Sequence, residues 1–218
     1  MKIHSIYKTV SGEVGLFPQG AWVTIVRLDG CNLRCPYCDT KETQQGDTHK
    51  EMDVHTVVDM VESLGIKNIM ITGGEPLLQM EELVGLCAFL TQLGNLVQIE
   101  TNGSIFPTME LCRQVHCFVV DYKLPSTGQE GAMMSIRDFE LLPASSMVKF
   151  VCTDRWDYER AKEVMDEVNS GMIKTRYAMS AASPLHPSRL FSWMLTDRLF
   201  HVLFNVQIHK LADIKEKE

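Results

Sequence analysis

No run of apolar residues in this sequence is long enough to cross a bilayer. Stretches such as residues 66–72 fall far short of the roughly 20 residues that a membrane helix needs. The opening residues, MKIHSIYKTVSGE, hold no apolar segment of signal-peptide length ahead of a small-residue cleavage site. The expectation is a protein of the cytoplasm with no membrane partner. Basic residues are scarce as well: lysine and arginine number 21 against 28 aspartates and glutamates, for a formal net charge of −7. A nucleic-acid binder needs a basic patch to displace counterions from phosphates. None is visible, so nucleic acid is set aside and a small-molecule substrate is expected. Repeats, low-complexity tracts and linkers are missing too, and residues 1–218 read as one domain. Hydrophobic residues at 45% and charged residues at 22% give such a chain enough apolar surface for a sizeable core.

What is present is an alternation of two periodicities. Strand-like runs rich in β-branched and aromatic residues recur at residues 22–28, 68–72, 96–101, 117–121, 147–152, 176–179 and 202–207. Helix-like stretches lie between several of them. Residues 53–64 place Val57, Met60, Val61 and Leu64 at helical spacing behind an Asp53 cap, with Gly65 as the stop. Residues 80–93, 156–168 and 187–195 read the same way. Strand alternating with helix predicts βαβ units and a mainly parallel sheet. Seven strands do not complete an eightfold barrel, so the expected fold is α/β, an open, partial βα barrel. In such sheets ligands bind beyond the carboxyl ends of the strands.

Seven cysteines are an odd number, and a reducing compartment disfavours disulfides. Cys87 and Cys152 lie in apolar stretches and read as small core residues, and Cys112 and Cys117 as buried or half-buried thiols. The remaining three are clustered, in Gly30-Cys31-Asn32-Leu33-Arg34-Cys35-Pro36-Tyr37-Cys38-Asp39-Thr40, directly after the strand at 22–28. Thiolates are the protein ligands of iron–sulfur clusters, and short spacings on one loop let several converge. Three thiolates for four irons leave one iron open to a bidentate small molecule. A closed zinc site is the alternative, but it wants four ligands, and only His49 stands ready to complete one.

Cys-x3-Cys-x2-Cys with an aromatic residue, Tyr37, before the last cysteine resembles the radical S-adenosylmethionine superfamily. A second motif agrees: Gly73-Gly74-Glu75-Pro76 follows the strand at 68–72. In that superfamily this segment hydrogen-bonds the amino group of the cosubstrate's methionine moiety. The glycines allow close backbone approach, and backbone carbonyls or a carboxylate accept from an ammonium. Alone, such a segment is equally a simple turn.

The resemblance narrows and covers nearly the whole chain. Ser11-Gly12-Glu13, Arg27-Leu28-x-Gly30-Cys31-Asn32-Leu33-x-Cys35-x-x-Cys38-Asp39-Thr40, Glu100-Thr101-Asn102-Gly103, Asp121-x-Lys123-x-Pro125-Ser126 and Gln207-x-His209-Lys210 are similar to the motifs of the 7-carboxy-7-deazaguanine synthase family. That family implies a homodimeric lyase acting on 6-carboxy-5,6,7,8-tetrahydropterin with a [4Fe–4S] cluster, S-adenosylmethionine, Mg²⁺ and an external one-electron reductant. A deoxyadenosyl radical abstracts hydrogen from C6 of the pterin, the ring contracts, and ammonia is lost. It also implies roles. Cys31, Cys35 and Cys38 would hold the cluster and Thr40 the Mg²⁺. Tyr37, Cys38, Asp39, Gly73, Gly74, Glu75, Glu100, Asp121, Tyr122 and Lys123 would meet the cosubstrate. Val10, Ser11, Gly12, Glu13, Arg27, Thr72, Gln207 and His209 would meet the substrate. One departure is visible: the early motif usually reads Gln-Gly-Glu-Gly, and here it is Ser11-Gly12-Glu13-Val14. The rivals are a small activating enzyme that forms a glycyl radical on a partner protein and a non-catalytic iron–sulfur or zinc protein.

Overall fold

A computed structural model describes residues 1–169 and 175–214. The described chain runs β1 (Lys2–Val10), β2 (Trp22–Leu28), β3 (Lys50–Glu51), α1 (Val54–Ser63), β4 (Asn68–Gly73), α2 (Met80–Gln92), β5 (Leu96–Thr101), α3 (Met109–Gln114), β6 (Cys117–Tyr122), β7 (Met147–Cys152), α4 (Arg155–Asn169), β8 (Arg176–Ala181), α5 (Pro187–Thr196), β9 (Val202–Phe204) and α6 (Ile208–Leu211). All nine strands join one sheet in the order β3-β1-β2-β4-β5-β6-β7-β8-β9. From β2 to β9 every pairing is parallel, whereas β1 pairs antiparallel with both β2 and β3. Among the described residues β3 and β9 are the two edges, so the barrel is open as expected, although nine strands join the sheet where seven were expected.

Parallel strands covered by helices on one face show which way each side chain points. Val26, Leu28, Ile69, Ile71, Val97, Ile99, Val120, Val148 and Phe150 enter the main core, where α1, α2 and α4 pack their apolar stripes. α1 starts at Asp53, whose Oδ1 accepts from the Thr56 amide at 3.0 Å, and its core stripe is Val57, Val58 and Val61. Met60, expected on that stripe, faces outward at 38% exposure, because the buried stripe is turned one residue. The alternate strand residues form the opposite, inner face. A small second core of Tyr7, Phe17, Val23, Ile25 and Met70 floors it.

Three strand expectations are corrected. β1 and β3 are additional: charged Lys2 and Lys8 on an outer antiparallel strand dilute its apolar signal, although Ile3 and Tyr7 are buried. The last strand stops at Phe204 instead of 207, since the chain leaves the ladder at Asn205 to reach the inner face. β8 continues to Ala181, two residues beyond its expected end. Among the described residues no helix is long and apolar enough to cross a membrane.

Candidate active site

The strand register assembles a polar layer on the inner face. Arg27 pairs with Thr72, Met70 with Gln98, Glu100 with Val119, and Asp121 with Lys149. Two-residue alternation therefore aligns Arg27, Thr72, Gln98, Glu100, Asp121 and Lys149 on one side. The Arg27 guanidinium is buried and its Nη2 donates to the Tyr7 hydroxyl at 2.9 Å, so it is no exposed strand charge. Thr72 Oγ1 donates to Glu100 at 3.2 Å. Burial pushes the Glu100 carboxyl up, with the Glu13 charge adding to the rise while the Lys149 ammonium, the Thr72 bond and the Arg27 cation pull against it.

Glu13 reaches this layer from the β1–β2 loop. Its Oε2 accepts from Lys149 Nζ at 2.7 Å and Asn205 Nδ2 at 3.0 Å, and its Oε1 from Gln207 Nε2 at 2.5 Å. A loop that leaves β1 thus meets a side chain of β7, which requires the sheet to curl. Burial alone would raise the Glu13 pKa; the Lys149 cation and three hydrogen bonds override it and hold it at about 2. The loop itself is bound to the segment after β9. Gly12 O accepts from the Ile208 amide at 3.0 Å and from Gln19 at 3.1 Å, and the Val14 amide donates to Asn205 at 3.0 Å. Ser11 is buried, its hydroxyl donating to Glu13 O at 3.0 Å. A Cβ at Gly12 would overlap the His209 ring, so a larger residue here would have to displace that side chain. Val10 ends β1 beside them.

At the carboxyl end of β2 the chain turns through Gly30, φ +93°, into the cysteine loop. The Gly73-Gly74-Glu75 segment lies directly on that turn: the Gly74 amide donates to Leu28 O at 3.1 Å and the Glu75 amide to Gly30 O at 2.8 Å. A Cβ on Gly73 would strike the Leu28 carbonyl, and one on Gly74 the Gly30 carbonyl. Both glycines are there so that two loops can touch. The Glu75 carboxylate is fully buried and accepts from Leu77 N at 3.0 Å, Thr101 Oγ1 at 2.8 Å and Asn102 N at 2.7 Å. It laces the β4 loop to the end of β5. Of the two acceptors expected for a ligand ammonium, the carboxylate is occupied by these three donors, which favours backbone carbonyls of the segment. The Tyr122 ring is committed elsewhere too, which leaves its main chain between Asp121 and Lys123. Alternation sends its ring into the outer core against Phe139 and Phe150, away from Asp121.

Cys31, Cys35 and Cys38 are free thiols, Cys35 buried and the other two half-buried. Among the described residues no three His, Cys, Asp or Glu side chains close on a single ion. His49 faces Asp29 at 3.1 Å and Glu51 at 3.4 Å instead, so a closed zinc site does not fit. An iron–sulfur cluster does. Its thiolates bind different irons and stand farther apart than ligands of one ion, and sulfurs that accept N–H bonds suit it. Cys31 Sγ lies 3.4 Å from the Leu33 amide and 3.7 Å from Asn102 Nδ2. Burial raises the Cys35 pKa and the Lys123 cation opposes it, while Asp121, Cys31 and Cys38 add to the rise. Thr40 precedes a short 3-10 turn without capping it, and its hydroxyl lies 3.8 Å from Cys38 Sγ.

Beside the cysteines lie two buried polar atoms with no hydrogen-bond partner, Tyr37 Oη and Asp121 Oδ1. Such atoms cost roughly 1–3 kcal/mol each unless something completes them, so a polar ligand fits here. Asp121 Oδ2 meanwhile accepts from Lys123 Nζ at 2.8 Å, and that ammonium stands 6.0 Å from the Tyr37 ring. Asp39 accepts from Lys210 at 2.8 Å and from Gln207 at 3.4 Å, bridging the cysteine loop to the Glu13 side. Lys149, Asn205, Gln98, Asn102 and Tyr7 join the site without having been expected there. The first and third had a signal: a lysine or glutamine inside an otherwise apolar strand points to a second, polar face.

These features define the class. The radical SAM superfamily model matches residues 25–179, and the chain belongs to that superfamily. The crystal structure of QueE from Escherichia coli is similar in fold, with a TM-score of 0.72 over 94% of this chain and 93% of that one, at 21% identity. The 7-carboxy-7-deazaguanine synthase of Clostridium acetobutylicum is 32% identical over 96% of this chain and 95% of its own length. That of Aquifex aeolicus is 38% identical over 98% and 94%. Within the superfamily, the chain belongs to the 7-carboxy-7-deazaguanine synthase family.

Proposed function

We propose that this chain is a radical SAM carbon–nitrogen lyase that converts 6-carboxy-5,6,7,8-tetrahydropterin to 7-carboxy-7-deazaguanine with loss of ammonia, on the route to queuosine and related deazapurines. The observation that supports it most is the inner face, which carries a buried guanidinium, Arg27, and a half-buried carboxylate, Glu13. A pterin acid presents a carboxylate at one end and N–H donors along its pyrimidine edge, and it needs both groups. A [4Fe–4S] cluster on Cys31, Cys35 and Cys38 supplies, when bound and reduced, the electron that cleaves S-adenosylmethionine.

The chain's own residues bind and orient. Backbone carbonyls from Gly73 to Glu75 accept from the cosubstrate ammonium, and Tyr37, Cys38, Asp39, Glu100, Asp121 and Lys123 line the rest of its place. Arg27 takes the substrate carboxylate. Glu13, Val10, Ser11, Gly12, Thr72, Gln207 and His209 surround the ring system. The Thr40 hydroxyl, used in no cap, would be the protein's ligand to Mg²⁺, an ion that takes few protein ligands and would help to hold the substrate carboxylate. A single domain over residues 1–218, acting as a homodimer in the cytoplasm with an external one-electron reductant, completes the reading.

The test is an anaerobic reaction of reconstituted, reduced protein with S-adenosylmethionine and the carboxy-tetrahydropterin, followed by mass spectrometry. A deazapurine acid is expected with no partner protein. Turnover that demands a protein partner and leaves the pterin untouched would establish a glycyl-radical activase instead.

A further inference from the structure

We propose that Lys149 is a positioning residue for the substrate: through its ion pair it holds Glu13 as a fixed, ionised acceptor for the ligand's N–H edge. The inference rests on the reading of Glu13 as a substrate contact and adds the residue that makes Glu13 fit for it. Three observations carry it. Lys149 is central in β7 and buried, and its ammonium is bonded to Glu13 at 2.7 Å. Glu13 itself belongs to a loop and has no strand to fix its direction, so its orientation comes from Lys149, Asn205 and Gln207. Finally, Asp121 lies directly opposite Lys149 on β6, and Glu100 and Asp39 fall within its field. Burial works against the ammonium, but the Glu13, Asp121 and Glu100 carboxylates more than compensate and keep it charged.

The physical need is plain. A carboxylate that receives two parallel N–H groups must be both ionised and aimed before the ligand arrives. A buried carboxylate without a counter-ion takes up a proton or swings toward water. Asn205 and Gln207 donate hydrogen bonds but bring no charge. Lys149 brings charge from a strand, the most rigid part of the fold, and so transfers the precision of the sheet to a loop residue.

The experiment compares wild type, Lys149→Met, Lys149→Arg, Glu13→Gln and Glu13→Gln/Lys149→Met, each reconstituted with iron and sulfide. Steady-state rates are read against pterin concentration, with iron content as the control for folding. Lys149→Met is expected to raise the pterin KM by about 30-fold or more, as truncating one partner of a buried charge pair at a binding site does. The loss in kcat is smaller, and Lys149→Arg recovers most of the affinity. Should Lys149→Met fail to load iron, the double variant carries the test, because it removes both charges of the Lys149–Glu13 pair. Its KM should equal that of Glu13→Gln, since Lys149 acts through Glu13. An unchanged KM in an iron-loaded Lys149→Met, or losses that multiply in the double variant, overturns the proposal. Wild type that ignores the pterin overturns the substrate reading itself and this one with it, a result distinguishable from the other two.

Discussion

Thr40 shows how much one hydroxyl can decide. Its backbone carbonyl closes the following turn, accepting from the Thr43 amide at 3.1 Å, while its side chain makes no cap. If that oxygen ligates Mg²⁺ shared with the substrate carboxylate, Thr40→Ala should lower the pterin rate by about 100-fold, the usual cost of losing one orienting contact in a tight site. The Mg²⁺ dependence of that rate should flatten, and Thr40→Ser should recover part of both. Full activity in Thr40→Ala with the same Mg²⁺ response would reduce it to a turn residue. The motif residues were legible in the sequence because their spacing is local. Lys149 and Gln98 carried only the signal of a polar residue in an apolar strand, and Asn205 none, because what makes them part of the site is register across five strands and a chain that returns at Asn205. Tyr122 and Glu75 show the converse: a motif marks a segment, and strand alternation or a hydrogen-bond triad decides where each side chain goes.

The elements that matter most to the site are the two loops that touch at Gly74. The helices and parallel strands were readable because periodicity is a property of a single element. β1 and β3 were not, since an outer antiparallel strand with one wet face keeps lysines that break the apolar pattern. The contact between the β2 and β4 loops likewise has no local signal beyond its glycines. Gly74→Ala places a methyl group against the Gly30 carbonyl one residue before Cys31, and two main chains must separate to admit it. The expected outcome is a folded protein that retains well under half of the wild-type iron after reconstitution. Gly85→Ala, on α2 with open space around its Cβ, should hold wild-type iron and gain slightly in stability, because alanine is the better helix former. Iron assay and thermal melting of the two variants side by side check both statements.

At the scale of the molecule, the inner face is a charged interior within an apolar shell, and its ionisation is linked to stability. Glu13 has a folded pKa of about 2 against an ordinary 4.5, so the folded state binds its proton less readily than the unfolded chain. A depressed carboxylate adds stability above its unfolded pKa and loses it as pH falls through the folded one. Glu13 should therefore contribute about 1–3 kcal/mol at neutral pH that disappears between roughly pH 4.5 and 2. Glu100 and Glu75 are displaced upward by burial and act in the opposite sense. The clean measurement is consequently a difference: urea unfolding of the iron-free chain at several pH values, for wild type and Glu13→Gln. The acid slope of the wild type should exceed that of the variant across this window, and parallel slopes would show that Glu13 is not so perturbed.

The bonds that hold Glu13 join positions as much as 194 residues apart, from Gly12 and Glu13 to Asn205, Gln207 and Ile208. A chain made from its first residue onward exposes the cysteine loop and its glycine partners early, when the segment after β9 does not yet exist. Contacts of such long range are also slow to close in a finished chain, because the intervening loop must lose its freedom first. The contact between the cysteine loop and the Gly73–Glu75 segment can therefore form before anything from the segment after β9 reaches Glu13 or Asp39. Among the described contacts that build this site, those reaching back from Asn205, Gln207, Ile208 and Lys210 to Gly12, Glu13 and Asp39 are the last that a growing chain can make.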